Sequence, residues 1–167
     1  MIREYAPIGL IPAAWAMTFA TIIYPGISTY WIQHMHYFMI LFLGSFTFLS
    51  WNEMGSNPVL DIWRKVIAAG TIFTSLGALS FTFSSYSQIL GFSSLVYWFL
   101  APGLALYYSS DYMEQYSDLY QSLGGESIIA LGIFILGLYS EVASLQIIGI
   151  IGIAVAQTWS IVVASKL

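Results

Sequence analysis

Long apolar stretches alternate with short polar breaks along this chain. A helix needs about 20 apolar residues to cross the hydrocarbon core of a bilayer, and the breaks leave six stretches near that length. The breaks consist of turn-forming residues, such as Asn57, a common helix N-cap residue, followed by Pro58. The pattern predicts an all-α, polytopic membrane helix bundle that forms one domain over residues 1–167, with spans near 6–24, 31–51, 59–83, 86–108, 127–141 and 144–165.

The last of these breaks depends on few residues. Between Ile128 and Ser165 the sequence contains no proline and a single charged residue, Glu141. One helix over this stretch would be about 55 Å long at about 1.5 Å per residue, nearly twice the thickness of the hydrocarbon core. Two spans that turn near residues 139–144 fit a bilayer better.

The longest polar segment, residues 111–125, has a helical period. Asp111 and Glu114 are spaced as a capping pair, Asp118 continues their face, and tyrosines and leucines form the other face. Gly124 is a residue type that commonly ends helices. The segment therefore predicts a short amphipathic helix over 112–123 at the membrane interface, where tyrosine is favoured. Its acidic face suits water or a basic partner protein.

Charge is scarce and one-sided. The chain is 59% hydrophobic and 7% charged, with a formal net charge of −4 and no cysteine. A nucleic-acid partner, which needs clustered Lys and Arg, and thiolate chemistry are therefore not expected. Basic residues favour the cytoplasmic side of a membrane, and with six spans all four fall on one side: Arg3, Arg64, Lys65 and Lys166. We predict a multi-pass integral membrane protein with both termini in the cytoplasm.

Small residues recur at helical spacing in three of the spans. Because lipid gives helices no hydrophobic drive to associate, their packing depends on close backbone approach at small residues. The predicted packing stripes are Gly9, Ala13, Ala16 and Ala20 in the first span, Gly70, Thr74, Gly77 and Ala78 in the third, and Gly152 and Ala156 in the sixth. We expect these stripes to pack within the bundle; contact with another subunit is the alternative.

Few groups inside the spans can carry chemistry. His34 and His36 are the two histidines, and at about 100° per residue they point about 200° apart on a helix, so they cannot hold one ion together. Gln157 is the strongly polar side chain near the centre of a span, and such a residue more often bridges helices than binds substrate. Glu141 is the acid predicted on the same side as the histidines, where it is a candidate partner for an imidazole.

A metal site is the alternative interpretation of the histidine segment. Met35 and Met39 lie one turn apart and His36 lies beside their face, which supplies the thioether and imidazole ligands that Cu(I) accepts. The Met-x-x-x-Met spacing resembles that of the Ctr-type copper transporters, over five residues and without the Gly-x-x-x-Gly that follows there. The simpler interpretation is gap-filling methionines, with His34 in an aromatic belt at the membrane surface. The sequence predicts no cofactor, and copper is the alternative.

Three functional hypotheses follow. The first is a non-catalytic integral-membrane subunit that contacts the lipid bilayer and other membrane subunits of a larger assembly, for which a respiratory or oxidising complex is one candidate. The second is a small transporter or channel, for which a soft metal such as copper is one candidate cargo. The third is a membrane enzyme that uses a histidine and Glu141 on the outer side, although the scarcity of intramembrane polar groups disfavours catalysis.

Overall fold

The computed structural model shows an all-helical chain, as predicted. It describes residues 2–24 and 26–164, and of residues 2–10 it describes the backbone alone. Four helical segments in these ranges are long and apolar enough to cross a membrane, and they contain α2, α4, α5 and α6. The six α-helices are α1 (Ile2–Ile23), α2 (Thr29–Met54), α3 (Pro58–Ser80), α4 (Ser87–Ser109), α5 (Ser117–Tyr139) and α6 (Ala143–Ala164).

The helices form two compact units. Met1–Gly26 and Pro102–Leu167 form the α5–α6 unit, which also holds α1 and the end of α4, whereas Ile27–Ala101 form the α2–α3 unit, which holds the rest of α4. The expectation of one domain over residues 1–167 stays a prediction.

In the α5–α6 unit, a glycine allows the two long helices to approach closely. A Cβ added to Gly149 of α6 would lie 2.8 Å from the carbonyl oxygen of Ala130 and 2.7 Å from Cβ of Phe134, both in α5. Phe134 and Ile153 are fully buried around this contact. The predicted stripe of the sixth span is buried at Ala156, the residue one turn after Gly152.

The stripe predicted for the first span is wrong at two of its three positions with a described side chain. Ala13 and Ala16 of α1 are exposed and Ala20 is half-buried, while the neighbouring Trp15 is buried. The indole Nε1–H of Trp15 donates to Oε1 of Gln157 in α6 at 2.8 Å. A large side chain with a buried hydrogen bond therefore orients α1, which a search for small residues does not find. Gly9 lies where side chains are not described.

The α2–α3 unit confirms the small-residue stripe of the third span. The buried residues of α3 are the four predicted ones, Gly70, Thr74, Gly77 and Ala78. α3 also begins as predicted, because Oδ1 of Asn57 accepts from the backbone N–H of Val59 at 2.9 Å, with Pro58 in the first turn.

The predicted interfacial helix over 112–123 is wrong as a separate element. Residues 110–112 form a 3₁₀ turn, and α5 runs without a break from Ser117 to Tyr139. Gly124 does not end the helix: a Cβ there would lie 2.7 Å from the carbonyl oxygen of Gly103 in α4, so this glycine serves close helix packing. The predicted exposure of Glu114 and Asp118 is confirmed.

The predicted turn near residues 139–144 is confirmed, since α5 ends at Tyr139 and α6 begins at Ala143. The backbone N–H of Val142 donates to the carbonyl of Gly137 at 3.0 Å, a hydrogen bond that closes a helix end when the intervening residue is left-handed. That residue is Glu141, with φ of 57°.

Candidate functional site

His36 is the histidine of α2 that faces another helix. Its Nδ1 lies 2.8 Å from the carbonyl oxygen of Ile32. Because a carbonyl oxygen only accepts, Nδ1 is the donor in this hydrogen bond. The ring also meets Phe81 edge-on, with centroids 5.5 Å apart. The hydrogen bond and the ring contact together orient the imidazole.

The other ring nitrogen of His36, Nε2, lies over a glycine of α3. A Cβ added to Gly77 would be 2.9 Å from Nε2 of His36 and 2.8 Å from Oγ of Ser94 in α4. Three helices thus meet at Gly77, and they bring an imidazole ring and a buried hydroxyl close to this glycine. Sequence reasoning identified Gly77 as a packing residue and missed Ser94, which is one of many serines without a distinguishing pattern.

His34 points away from this cluster, as expected for two positions along a helix. It is exposed, its Nδ1 lies 2.8 Å from the carbonyl oxygen of Tyr30, and its ring packs 4.0 Å from the Tyr30 ring and 5.7 Å from the Tyr37 ring, centroid to centroid. The surroundings of His34 are those of an aromatic cluster at the start of α2.

The methionines of the predicted copper site also lie in α2. Met35 is exposed and Met39 is half-buried, while Nε2 of His36 is directed at Gly77. Among the residues that the structure describes, no three His, Asp or Glu side chains cluster as metal ligands. This observation does not cover a copper site built from methionine thioethers, so copper binding stays a prediction.

Gln157 occupies a buried position that joins two helices. Its side chain is 3% exposed and accepts the Trp15 hydrogen bond described above. The interpretation of Gln157 as a helix-bridging residue agrees with this geometry. Glu141, the second polar candidate of this unit, is exposed at the turn between α5 and α6.

The charged residues of α3 form a second polar cluster. Asp61 pairs with Arg64 and, at 2.7 Å, with Nζ of Lys65. Arg64 also donates to the Trp51 carbonyl at 2.8 Å, and its guanidinium lies 4.3 Å from the centroid of the Trp51 ring. This cluster ties the end of α2 to the start of α3.

The structure describes the side chains of two of the four basic residues that predict the orientation. Arg64 and Lys65 lie together in the first two turns of α3, outside the four apolar segments. Lys166 lies outside the described residues, and of Arg3 only the backbone is described. Comparison of the chain with protein-family models, with curated proteins and with solved structures found no match.

The cluster at Gly77 makes a direct prediction. Gly77→Ala places a methyl group against the imidazole and the Ser94 hydroxyl at distances below 3.0 Å, and we expect it to lower the free energy of unfolding by about 1–3 kcal/mol. Gly132→Ala is the control, because a Cβ there meets nothing within 4 Å and should stabilise α5 by about 0.5–1 kcal/mol. Thermal unfolding of the purified protein in detergent measures both. Equal shifts for the two variants would refute the packing described at Gly77.

Proposed function

We propose that this protein is an accessory integral-membrane subunit that packs against other membrane proteins through α2. The observation that carries the proposal is the exposure of this helix. All of α2 is described, and its buried residues are Leu43, Ser50 and Met54. An apolar helix of 26 residues that buries so few of them against its own chain leaves a broad face available to lipid or to a partner.

Aromatic anchors support the placement of α2 across a bilayer. Trp31 and Trp51 are 63% and 43% exposed, and at a rise of about 1.5 Å per residue they are about 30 Å apart, the thickness of the hydrocarbon core. Such spacing is typical of side chains in the two interfacial belts.

The composition of the exposed face favours protein over lipid as a neighbour of α2. One stripe, which we call the outward face of α2, follows alternating steps of three and four residues, the spacing of helix–helix seams. It includes polar side chains, with Ser45 near the middle of the helix, and lipid tails offer these no hydrogen bond. Its residues are all exposed: Trp31, His34, Phe38, Leu41, Ser45 and Phe48.

Photo-crosslinking in native membranes tests this role. A photoreactive phenylalanine analogue at Leu41 or Phe48 should form adducts with another polypeptide, whereas the same analogue at Leu43, which is buried, should not. Adducts with lipid alone from both exposed positions would contradict a subunit contact through α2.

The proposal includes six spans with both termini in the cytoplasm, supported by the one-sided basic residues and by the helix boundaries. A cysteine at Ser28, in the turn before α2, should react with a membrane-impermeant reagent added from outside. A cysteine at Ser56, in the turn before α3, should be protected until the membrane is opened. The reverse pattern would invert the proposed orientation.

A further inference from the structure

The first two turns of α3 hold two cations side by side, Arg64 and Lys65, which we call the basic pair. The two carboxylate oxygens of Asp61 pair with one cation each, Oδ1 with Arg64 and Oδ2 with Lys65. One carboxylate against two cations leaves a formal charge of +1 on these three side chains. The Arg64 side chain is 17% exposed, whereas that of Lys65 is 68% exposed. Lys65 is therefore the cation that a ligand can reach.

The ammonium of Lys65 can bind a further acceptor. It carries three N–H donors, and the contact with Asp61 at 2.7 Å uses one of them. A phosphate ester, with a negative charge and several acceptor oxygens, complements both the remaining donors and the net charge. A zwitterionic headgroup carries a cation beside its phosphate, which the basic pair repels, so an anionic headgroup fits better.

The apolar length of α3 places the basic pair at the membrane surface. Residues 66–80, which follow Lys65 to the end of α3, contain no charged residue. At about 1.5 Å per residue they are about 22 Å long, which is shorter than the hydrocarbon core of about 30 Å. A bilayer accommodates such a stretch when the lysine before it extends its aliphatic stem and holds its ammonium among the headgroups.

Trp51 of α2 gives an independent indication of the same depth. The guanidinium of Arg64 lies 4.3 Å from the centroid of the Trp51 ring and donates to the Trp51 carbonyl at 2.8 Å. The Trp51 side chain is 43% exposed, and exposed tryptophan is enriched at the headgroup level of membranes. The basic pair is thus at the depth of lipid phosphates for two separate reasons.

We propose that the basic pair binds the phosphate of an anionic lipid headgroup, with Lys65 in direct contact and Arg64 adding charge. This inference rests on the six spans of the proposed function, because it requires α3 to lie in the bilayer. It adds the class of lipid that the protein selects at that surface.

Lipid retention by the full chain tests the site. The chain is purified from mixed micelles with equal amounts of phosphatidylglycerol and phosphatidylcholine, and native mass spectrometry counts the lipids that stay bound. We expect the wild type to retain phosphatidylglycerol preferentially and Lys65→Gln to retain it about fivefold less well. Lys65→Arg keeps the charge and should behave as the wild type. The control Gln121→Glu makes the same change in net charge at an exposed site of α5 and should not change retention.

Equal retention of the two lipids by the wild type would overturn the inference, as would unchanged retention in Lys65→Gln. An equal loss in Gln121→Glu would assign the effect to net charge and also overturn it. Displacement of the lipid by inorganic phosphate at constant ionic strength would assign the site to free phosphate and overturn the lipid assignment. Cysteine labelling at Ser28 and Ser56 and partner co-purification do not depend on bound lipid, so they detect a failure of the proposed function separately.

Discussion

Replacing Gly149 is expected to disrupt the α5–α6 unit more than any other single substitution considered. A Cβ at this position would lie 2.8 Å from the carbonyl oxygen of Ala130 and 2.9 Å from the backbone nitrogen of Phe134. Backbone atoms inside a helix cannot rotate away, so the helices themselves must separate. We expect Gly149→Ala to cost about 3 kcal/mol, the upper end of typical overpacking costs, and Gly149→Leu to abolish the folded unit.

Gly125→Ala is the matched control for Gly149. Gly125 lies within α5, and a Cβ there meets nothing within 4 Å, so the substitution should stabilise the helix by about 0.5–1 kcal/mol. Thermal unfolding in detergent and the yield of folded protein measure both variants. If Gly149→Ala were as stable as the wild type, the close contact of α5 with α6 would be wrong.

The second large effect is expected on partner binding. Leu41 and Phe48 are 70% and 83% exposed on the outward face of α2, so replacing both by alanine should change the stability of the chain little. If they anchor a partner subunit, their truncation removes about 1–2 kcal/mol each, and partner retention should fall by about 100-fold. Co-purification of the partner with the tagged chain measures this loss.

A control for the α2 variant comes from another exposed apolar surface. Ile129 and Leu136 of α5 are 65% and 58% exposed, and Ile129→Ala with Leu136→Ala removes a comparable apolar area. This pair should leave partner retention unchanged if α2 carries the contact. Equal retention by the α2 variant and the α5 control would remove α2 from the interface.

Helix ends were predictable from the sequence where a residue acts through its own backbone. Asn57 and Pro58 mark the start of α3. The side chain of Asn57 accepts hydrogen bonds from backbone N–H groups of the first turn, and Pro58 has no backbone N–H that would need a partner there. Gly124 shows the limit of such reasoning. A glycine can end a helix, or it can allow the backbone of a neighbouring helix to approach closely. The Gly103 carbonyl beside Gly124 shows that the second applies here.

The polar cluster at Gly77 was predictable in one of its parts. Helical spacing of small residues located Gly77 on the buried face of α3. The side chains that fill the space above it, His36 and Ser94, come from α2 and α4, and their convergence depends on how three helices pack. The left-handed conformation of Glu141 was likewise not predictable, since the sequence there contains no glycine to indicate it.

The native mass of the complex extracted in a mild detergent tests the central claim most directly. The proposed role as an accessory subunit predicts a particle heavier than the 18.6 kDa chain with its bound lipid, which contains at least one different polypeptide in fixed ratio. That polypeptide should be lost from the Leu41→Ala, Phe48→Ala variant. Single chains, or assemblies made of this chain alone, would contradict the proposed function.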